Sequence, residues 1–260
     1  MKARWRPLAA AVALALAGVA GCSAVPDPGP GAGSVEPADG EQTLTVYAAA
    51  SLAGPISELL AQYASDHPEV AVAPAVLDGS ATLVTQVAEG AAPDVIATAN
   101  EATMAQLVEA NLVAPPEIFA TNTLVIAVPE GNPEGVTGLE DLTRIDTVLC
   151  APEVPCGDAA TTLLELAGVD LEPISVEQNV TAAAERVTSG ATDAALVYAT
   201  DVAAREDQLD AVVPDGAADV VNRYPIATLT SARAAGADFL ELVQSADGAA
   251  VLAEHGFGTP

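Results

Sequence analysis

Apolar positions in this 260-residue chain fall into three regimes. The first is a run from Leu8 to Ala20, preceded by Lys2, Arg4 and Arg6 and ending in Val19-Ala20-Gly21-Cys22. A basic start, a short apolar stretch and small residues predict a secretory signal over 1–21, too short for a membrane-spanning helix. The second regime, 22–42, lacks periodic apolar residues and is rich in Pro and Gly, which predicts a flexible tether. Its Gly-Pro-Gly-Ala-Gly is composition, not a phosphate loop. From residue 43 onward, two-residue alternation repeatedly gives way to three- and four-residue spacing, the pattern of strands followed by helices.

The spacing predicts a strand over 44–47, then a helix with Leu52, Ile56, Leu59, Leu60 and Tyr63 on one face. Pro55 suits that helix's first turn, where a missing N–H costs nothing. A strand over 70–75 leads to a helix opening at Ser80, with Leu83, Val84 and Val87 inward. After a strand over 92–97, Asn100 caps a helix carrying Met104, Leu107 and Val108. Strands follow over 123–128, 147–150, 171–176 and 194–198, with a short helical turn at 139–142. Between them, Pro155-Cys156-Gly157 opens a helix with Leu163, Leu164 and Leu166, and Asn179 caps one with Val180, Ala184 and Val187. A short helix over 200–205, strands over 209–213 and 224–229, and helices over 235–245 and 248–255 complete the chain. Strand alternating with helix at this spacing predicts an α/β fold, a parallel sheet with helices on both faces.

Charge narrows the partners. The formal net charge is −28, and three of the eight basic residues lie in the signal. The mature chain therefore keeps five arginines (Arg144, Arg186, Arg205, Arg223, Arg233), no lysine and all 36 acids. Such a surface repels nucleic acid and anionic lipid, which excludes a nucleic-acid role. If the ligand is an anion, local dipoles must hold it against that field. Cys22, directly after Ala-Gly, resembles the bacterial lipobox, implying cleavage before it and lipidation of its thiol. The protein is then extracytoplasmic, held to the outer face of the cell membrane by its lipid anchor alone. Cys150 and Cys156 remain, and outside the cytoplasm so close a pair predicts a disulfide. A metal site there lacks support, because the only histidines, His67 and His255, stand elsewhere in the chain.

Chemistry concentrates where strands give way to helices or loops, at Ser51, Ser80, Cys156, Val180 and Tyr198. In open α/β sheets, ligands bind outside the carboxyl ends of the strands. A serine at a strand-to-helix turn offers its hydroxyl and the N–H groups of a helix start, where the dipole favours an anion. Two serine hydroxyls, a phenol and main-chain N–H groups form a set of neutral donors, which suits a fully ionised oxyanion. Taken singly, each serine also reads as a plain helix cap, and Tyr198 and Val180 as core residues. No Gly-x-Ser-x-Gly is present, the mature chain has no Walker lysine, and two isolated histidines give no triad base or zinc set. These absences predict a protein that is not an enzyme and needs no cofactor. A lipid-tethered adhesion module with capping serines stays open as a third class.

Val46-Tyr-Ala-Ala-Ala-Ser-Leu52, Gly79-Ser80 ahead of Thr82-Leu83, Ala92-Pro-Asp94, Val154-Pro-Cys-Gly157 and Val197-Tyr198-x-x-Asp201 occur in that order across the mature chain. In this the sequence resembles the periplasmic molybdate-binding proteins of ABC importers. The resemblance implies a type II periplasmic-binding-protein fold: one lobe from 43–121 plus 225–260, the other from 122–224, a cleft between them, and crossings near Asn122 and Tyr224. It implies that Ser51 and Ser80 give hydroxyl and main-chain donors, Cys156 and Val180 main-chain N–H groups, and Tyr198 its hydroxyl. The function it implies is high-affinity binding of molybdate, and of tungstate, by a monomer that delivers the ion to an ABC permease. The alternative is another tetrahedral oxyanion, sulfate or phosphate. The sequence departs from the family pattern at Cys156, where alanine is frequent, and at Asp78 and Asp158, which bring carboxylates close to the expected site. Sulfate is smaller than molybdate, so a rigid donor ring set for the larger ion leaves its bonds long. Phosphate carries a proton near neutral pH and wants an acceptor, which an inward Asp78 supplies.

Overall fold

The computed structural model describes residues 42–260. The expected signal, the lipidation site at Cys22 and the tether up to residue 41 lie outside the described residues.

In chain order the strands are β1 (Gln42–Leu44), β2 (Val46–Ala49), β3 (Val70–Val72), β4 (Val76–Asp78), β5 (Val95–Ala97), β6 (Glu117–Pro129), β7 (Thr147–Cys150), β8 (Ser175–Glu177), β9 (Ala194–Tyr198), β10 (Leu209–Val212) and β11 (Val221–Thr228). The helices are α1 (Ala53–Asp66), α2 (Ser80–Ala88), α3 (Glu101–Glu109), α4 (Pro155–Ala167), α5 (Val180–Thr188), α6 (Ala199–Ala203), α7 (Ala234–Gln244) and α8 (Ala246–Glu254). Nine strands form one sheet in the order β4-β2-β5-β11-β6-β9-β7-β8, with β10 also on β6, while β1 pairs with β3.

Pairing is parallel at β2–β4, β2–β5, β7–β8 and β7–β9, and antiparallel wherever β6, β10 or β11 takes part. The parallel sheet expected from the alternation is thus corrected to a mixed one. The long strand β6 joins the two parallel sets: its first part, from Glu117, pairs with β11, and Leu124–Ala127 pair with β9. Asn222 of β11 stands opposite Asn122 of β6, and the ladder shifts register at Pro225, which has no N–H to give.

Alternation puts the two faces of the first set against different cores. Val95 and Ala97 of β5 join the larger apolar cluster with Leu52, Ile56, Leu59 and Phe239, while Ile96 joins a smaller one with Leu83, Met104 and Leu107. Helix α1 buries the stripe expected for it, and Pro55 lies in its first turn. On α2 the inward residues are Leu83, Val84 and Val87. Two apolar helix residues are exposed, Val108 on α3 and Leu166 on α4.

The expected first strand breaks at Thr45 for a specific reason. Asp94 accepts from both Thr45 N–H (2.8 Å) and Thr45 Oγ1 (2.9 Å), pulling this residue out of the ladder. The strand expected over 70–75 shortens to β3 at Val70–Val72, and β4 at Val76–Asp78, where a turn was expected, is a further strand with a different partner. Asp94 also accepts three hydrogen bonds from Arg233 just ahead of α7, so one buried carboxylate joins β2, β5 and the closing helices. Burial alone raises the Asp94 carboxyl, but the hydrogen bonds from Arg233 and Thr45 outweigh it and hold the group below the usual aspartate range. Among the described residues no helix is long and apolar enough to cross a membrane.

Candidate functional site

Four helical starts meet at one point. The 3-10 turn Ala50–Leu52 leads into α1 directly after β2, and α2 starts at Ser80 directly after β4 and Gly79. From the other parallel set, α4 starts at Pro155 and α5 at Val180. The first-turn N–H groups of a helix have no partner within it. Four such turns around one space give a field that favours negative charge.

Ser51, Ser80, Cys156, Val180 and Tyr198, the five positions singled out in the sequence, all line one small cavity of about 20 Å³. Its wall also includes Ala49, Ala50, Asp78, Gly79, Ala99 and Asn179. That volume matches a small ion. Ser80, Cys156, Val180 and Tyr198 are all buried.

Each donor is locally fixed. Cys150 at the end of β7 and Cys156 in the first turn of α4 form a disulfide. The bond consumes the Cys156 thiol and leaves its N–H as the group it can offer. The next residue, Gly157, lies so close to Ala151 O that a β-carbon would collide with it, so the turn closes only with glycine there. Asn179 caps α5 by accepting from Ala182 N–H at 2.9 Å, which leaves Val180 N–H uncapped. Tyr198 ends β9, and Asp201 of α6 accepts from its N–H at 3.2 Å, one half of a capping box.

The carboxylate of concern, Asp78, is engaged. Its Oδ1 accepts from Gly79 N–H at 2.6 Å and from the Asn179 side-chain amide at 3.3 Å. Asn100, the cap of α3, reaches Asp158 in the same way at 3.3 Å. Each asparagine caps its own helix with its oxygen and donates its amide to an aspartate from the opposite wall. Gly79 approaches Gln178 O so closely that any β-carbon would clash, so these walls touch through backbone.

Behind the cavity stand groups with no mark in the local pattern. Tyr224 Oη lies 3.1 Å from Ser51 Oγ, and its ring meets that of Tyr198 edge-on. Asn222 donates to Tyr198 Oη (2.9 Å) and to Ala99 O (3.0 Å). A polar residue among the strand-forming positions of β11 is the one sequence signal that could have drawn attention to Asn222. Burial pushes the Tyr198 and Tyr224 phenols well above the usual range, so both stay neutral donors across physiological pH. Burial raises the Asp201 carboxyl to about 7, against the lowering effects of Arg205 and the Tyr198 N–H. No cluster of three or more metal-ligating side chains occurs among the described residues.

Comparison with known proteins places the chain in a family. The molybdate-binding protein ModA of Mycobacterium tuberculosis H37Rv is 37% identical over 262 residues, covering 99% of this chain and all of that protein. Among solved structures, the periplasmic molybdate-binding protein of Azotobacter vinelandii superposes with a TM-score of 0.71 at 19% identity, covering 84% of this chain and 99% of that one. The sulfate-binding protein SubI of M. tuberculosis H37Rv gives 0.68, also at 19% identity, over 84% and 87% of the two chains. These two likenesses establish a shared α/β fold. Residues 44–258 match the family model described as bacterial extracellular solute-binding protein. By that match over most of its length, and by its kinship with ModA, the chain belongs to the bacterial extracellular solute-binding protein family.

Proposed function

We propose that this protein binds molybdate, and also tungstate, outside the cytoplasm and hands it to the permease of an ABC importer. The observation that carries the reading is the convergence of Ser51, Ser80, Cys156, Val180 and Tyr198 on one ion-sized cavity. All five offer neutral donors, and Asp78, the one carboxylate in the wall, is engaged by Gly79 and Asn179. Four helix starts supply the local positive potential that offsets a formal charge of −28. Kinship with ModA supports molybdate as the cargo.

In this reading residues 43–121 with 225–260 form one lobe and 122–224 the other, joined through β6 and β11. Donors from both lobes meet only around the anion, so binding favours closure. The protein acts as a monomeric carrier without catalysis or cofactor. Its signal over 1–21 is removed, Cys22 is lipidated, and the tether gives the body reach above the membrane. Sulfate is the second reading, supported by the fold shared with SubI. A donor ring set for the larger ion disfavours it.

Calorimetric titration of the purified mature protein tests the proposal. Molybdate is expected to bind at one site per chain with submicromolar Kd, followed by competition with tungstate, sulfate and phosphate. Tighter binding of sulfate than of molybdate would overturn the assignment of the cargo.

A further inference from the structure

The hydroxyls of Ser80 and Tyr198 come from opposite walls, yet one buried chain of hydrogen bonds connects them. Ala99 N–H donates to Ser80 Oγ at 3.0 Å. The carbonyl of the same Ala99 accepts from Asn222 Nδ2 at 3.0 Å, and Asn222 Nδ2 also donates to Tyr198 Oη at 2.9 Å. Ser80, Ala99, Asn222 and Tyr198 are all buried, so bulk water does not compete for these groups.

The chain has a direction. An asparagine amide nitrogen carries two hydrogens and accepts none, so both Asn222 bonds are donations. Tyr198 Oη and Ser80 Oγ therefore each receive a protein hydrogen, and the proton of each hydroxyl must point elsewhere. The cavity lies beside both. Tyr224 Oη, which contacts Ser51 Oγ, also stands within hydrogen-bond reach of Tyr198 and competes with the cavity for that proton. A bound dianion is a stronger acceptor than a phenol and takes the Tyr198 proton in preference.

We propose that Asn222 is a positioning and specificity-determining residue: by donating to Tyr198 Oη and bracing Ala99 behind Ser80, it turns the protons of both hydroxyls toward the cavity and so favours fully deprotonated oxyanions over protonated ones. This inference rests on the oxyanion-binding reading above and extends it to the residue that sets selectivity. A protonated anion, such as hydrogen phosphate, must place its own O–H against an acceptor. With both hydroxyls turned outward as donors, that O–H meets another hydrogen at Ser80 and at Tyr198, while Asp78 Oδ1 is already bonded to Gly79 and Asn179. An unmade bond of this kind in a buried site is expensive.

Sulfate and phosphate serve as paired probes, because they are close in size and differ in carrying a proton near neutral pH. Titrations use the mature wild-type protein and the Asn222→Asp and Asn222→Ala variants, with folding checked by thermal melting. Asn222→Asp keeps the side-chain shape but cannot supply two donated hydrogens, and Asn222→Ala supplies none. Either variant frees Tyr198 Oη to accept. The expected result is a phosphate-to-sulfate affinity ratio at least tenfold higher than wild type in each variant that folds, with molybdate binding weakened. The same substitution in a Tyr198→Phe background is expected to leave the ratio nearly unchanged. Equal loss of sulfate and phosphate, with the ratio constant, would mean that Asn222 only holds the fold and would overturn the inference. The wild-type titration separates the two levels: no oxyanion binding there defeats the functional reading itself, whereas normal molybdate binding with unaltered ratios in the variants defeats only the role of Asn222.

Discussion

Asp78 and Asn179 face each other across the cavity, the carboxylate accepting the amide of the residue that caps the opposite helix at 3.3 Å. A negative charge thus stands in the wall of a site built from positive helix ends. Its place is held by geometry that a neutral amide also satisfies, because an asparagine oxygen can accept from the same Gly79 N–H and Asn179 amide, through weaker bonds.

Asp78→Asn is accordingly expected to tighten molybdate binding, by about 1 kcal/mol, as repulsion between the carboxylate and the dianion is removed. Calorimetry at low ionic strength measures it. Weaker binding in this variant would mean that the charged form of the clasp is what keeps the walls together.

Ser51→Ala and Ser80→Ala are each expected to weaken molybdate binding by roughly 1–3 kcal/mol, the loss of one charge-assisted hydrogen bond. Tyr224→Phe acts through Ser51, whose hydroxyl it contacts at 3.1 Å, and its effect is smaller. A double-mutant cycle of Ser51→Ala with Tyr224→Phe is expected to be non-additive, since the two hydroxyls form one unit. Wild-type affinity in both serine variants would remove these side chains from the site.

Asp94 contributes to stability in one direction of pH. Its folded-state carboxyl is held low, so its contribution is present above the unfolded value and disappears as pH falls through the folded one. Asp94→Ala leaves Thr45 and Arg233 without their acceptor and is expected to cost about 3 kcal/mol at pH 7. Urea unfolding at pH 7 and pH 3 checks both points: the wild type loses more stability on acidification than the variant.

Asp201 acts in the opposite sense. Its folded-state carboxyl is raised to about 7 from an ordinary 3.8, so the folded chain holds the proton more tightly than the unfolded one. Stability therefore declines as pH rises between those values, by about 4 kcal/mol if the whole shift is expressed. Asp201→Asn keeps an oxygen for the Tyr198 N–H and removes the charge. It is expected to stabilise the protein at pH 8 and to change little at pH 4, read from unfolding midpoints across that range.

Much of this molecule is written locally. The stripe on α1, the inward face of α2, the caps at Asn100 and Asn179 and the strands β7 and β9 follow from residues within one or two turns of each other. Such features depend on side-chain period and on capping, which a sequence displays directly. The strand-to-helix junctions carrying Ser51, Ser80, Cys156, Val180 and Tyr198 were legible for that reason.

Where local rules failed, a distant partner intervened. Thr45 leaves its strand because Asp94 claims it, and β6 extends back to Glu117 because β11 pairs with it from a hundred residues away. Val108 and Leu166 are apolar yet exposed, since nothing packs over that part of their helices.

The sequence by itself determined which groups this protein can offer, neutral donors at helix starts on an acidic body. Tertiary structure alone decided that they meet, that the sheet is mixed rather than parallel, and that Asn222 and Tyr224 stand behind them. The physical reason is separation along the chain: Ser51 and Tyr224 lie 173 positions apart, and Asp94 and Arg233 lie 139. No periodicity reports a hydrogen bond of that span, and only the packed core brings its two ends together.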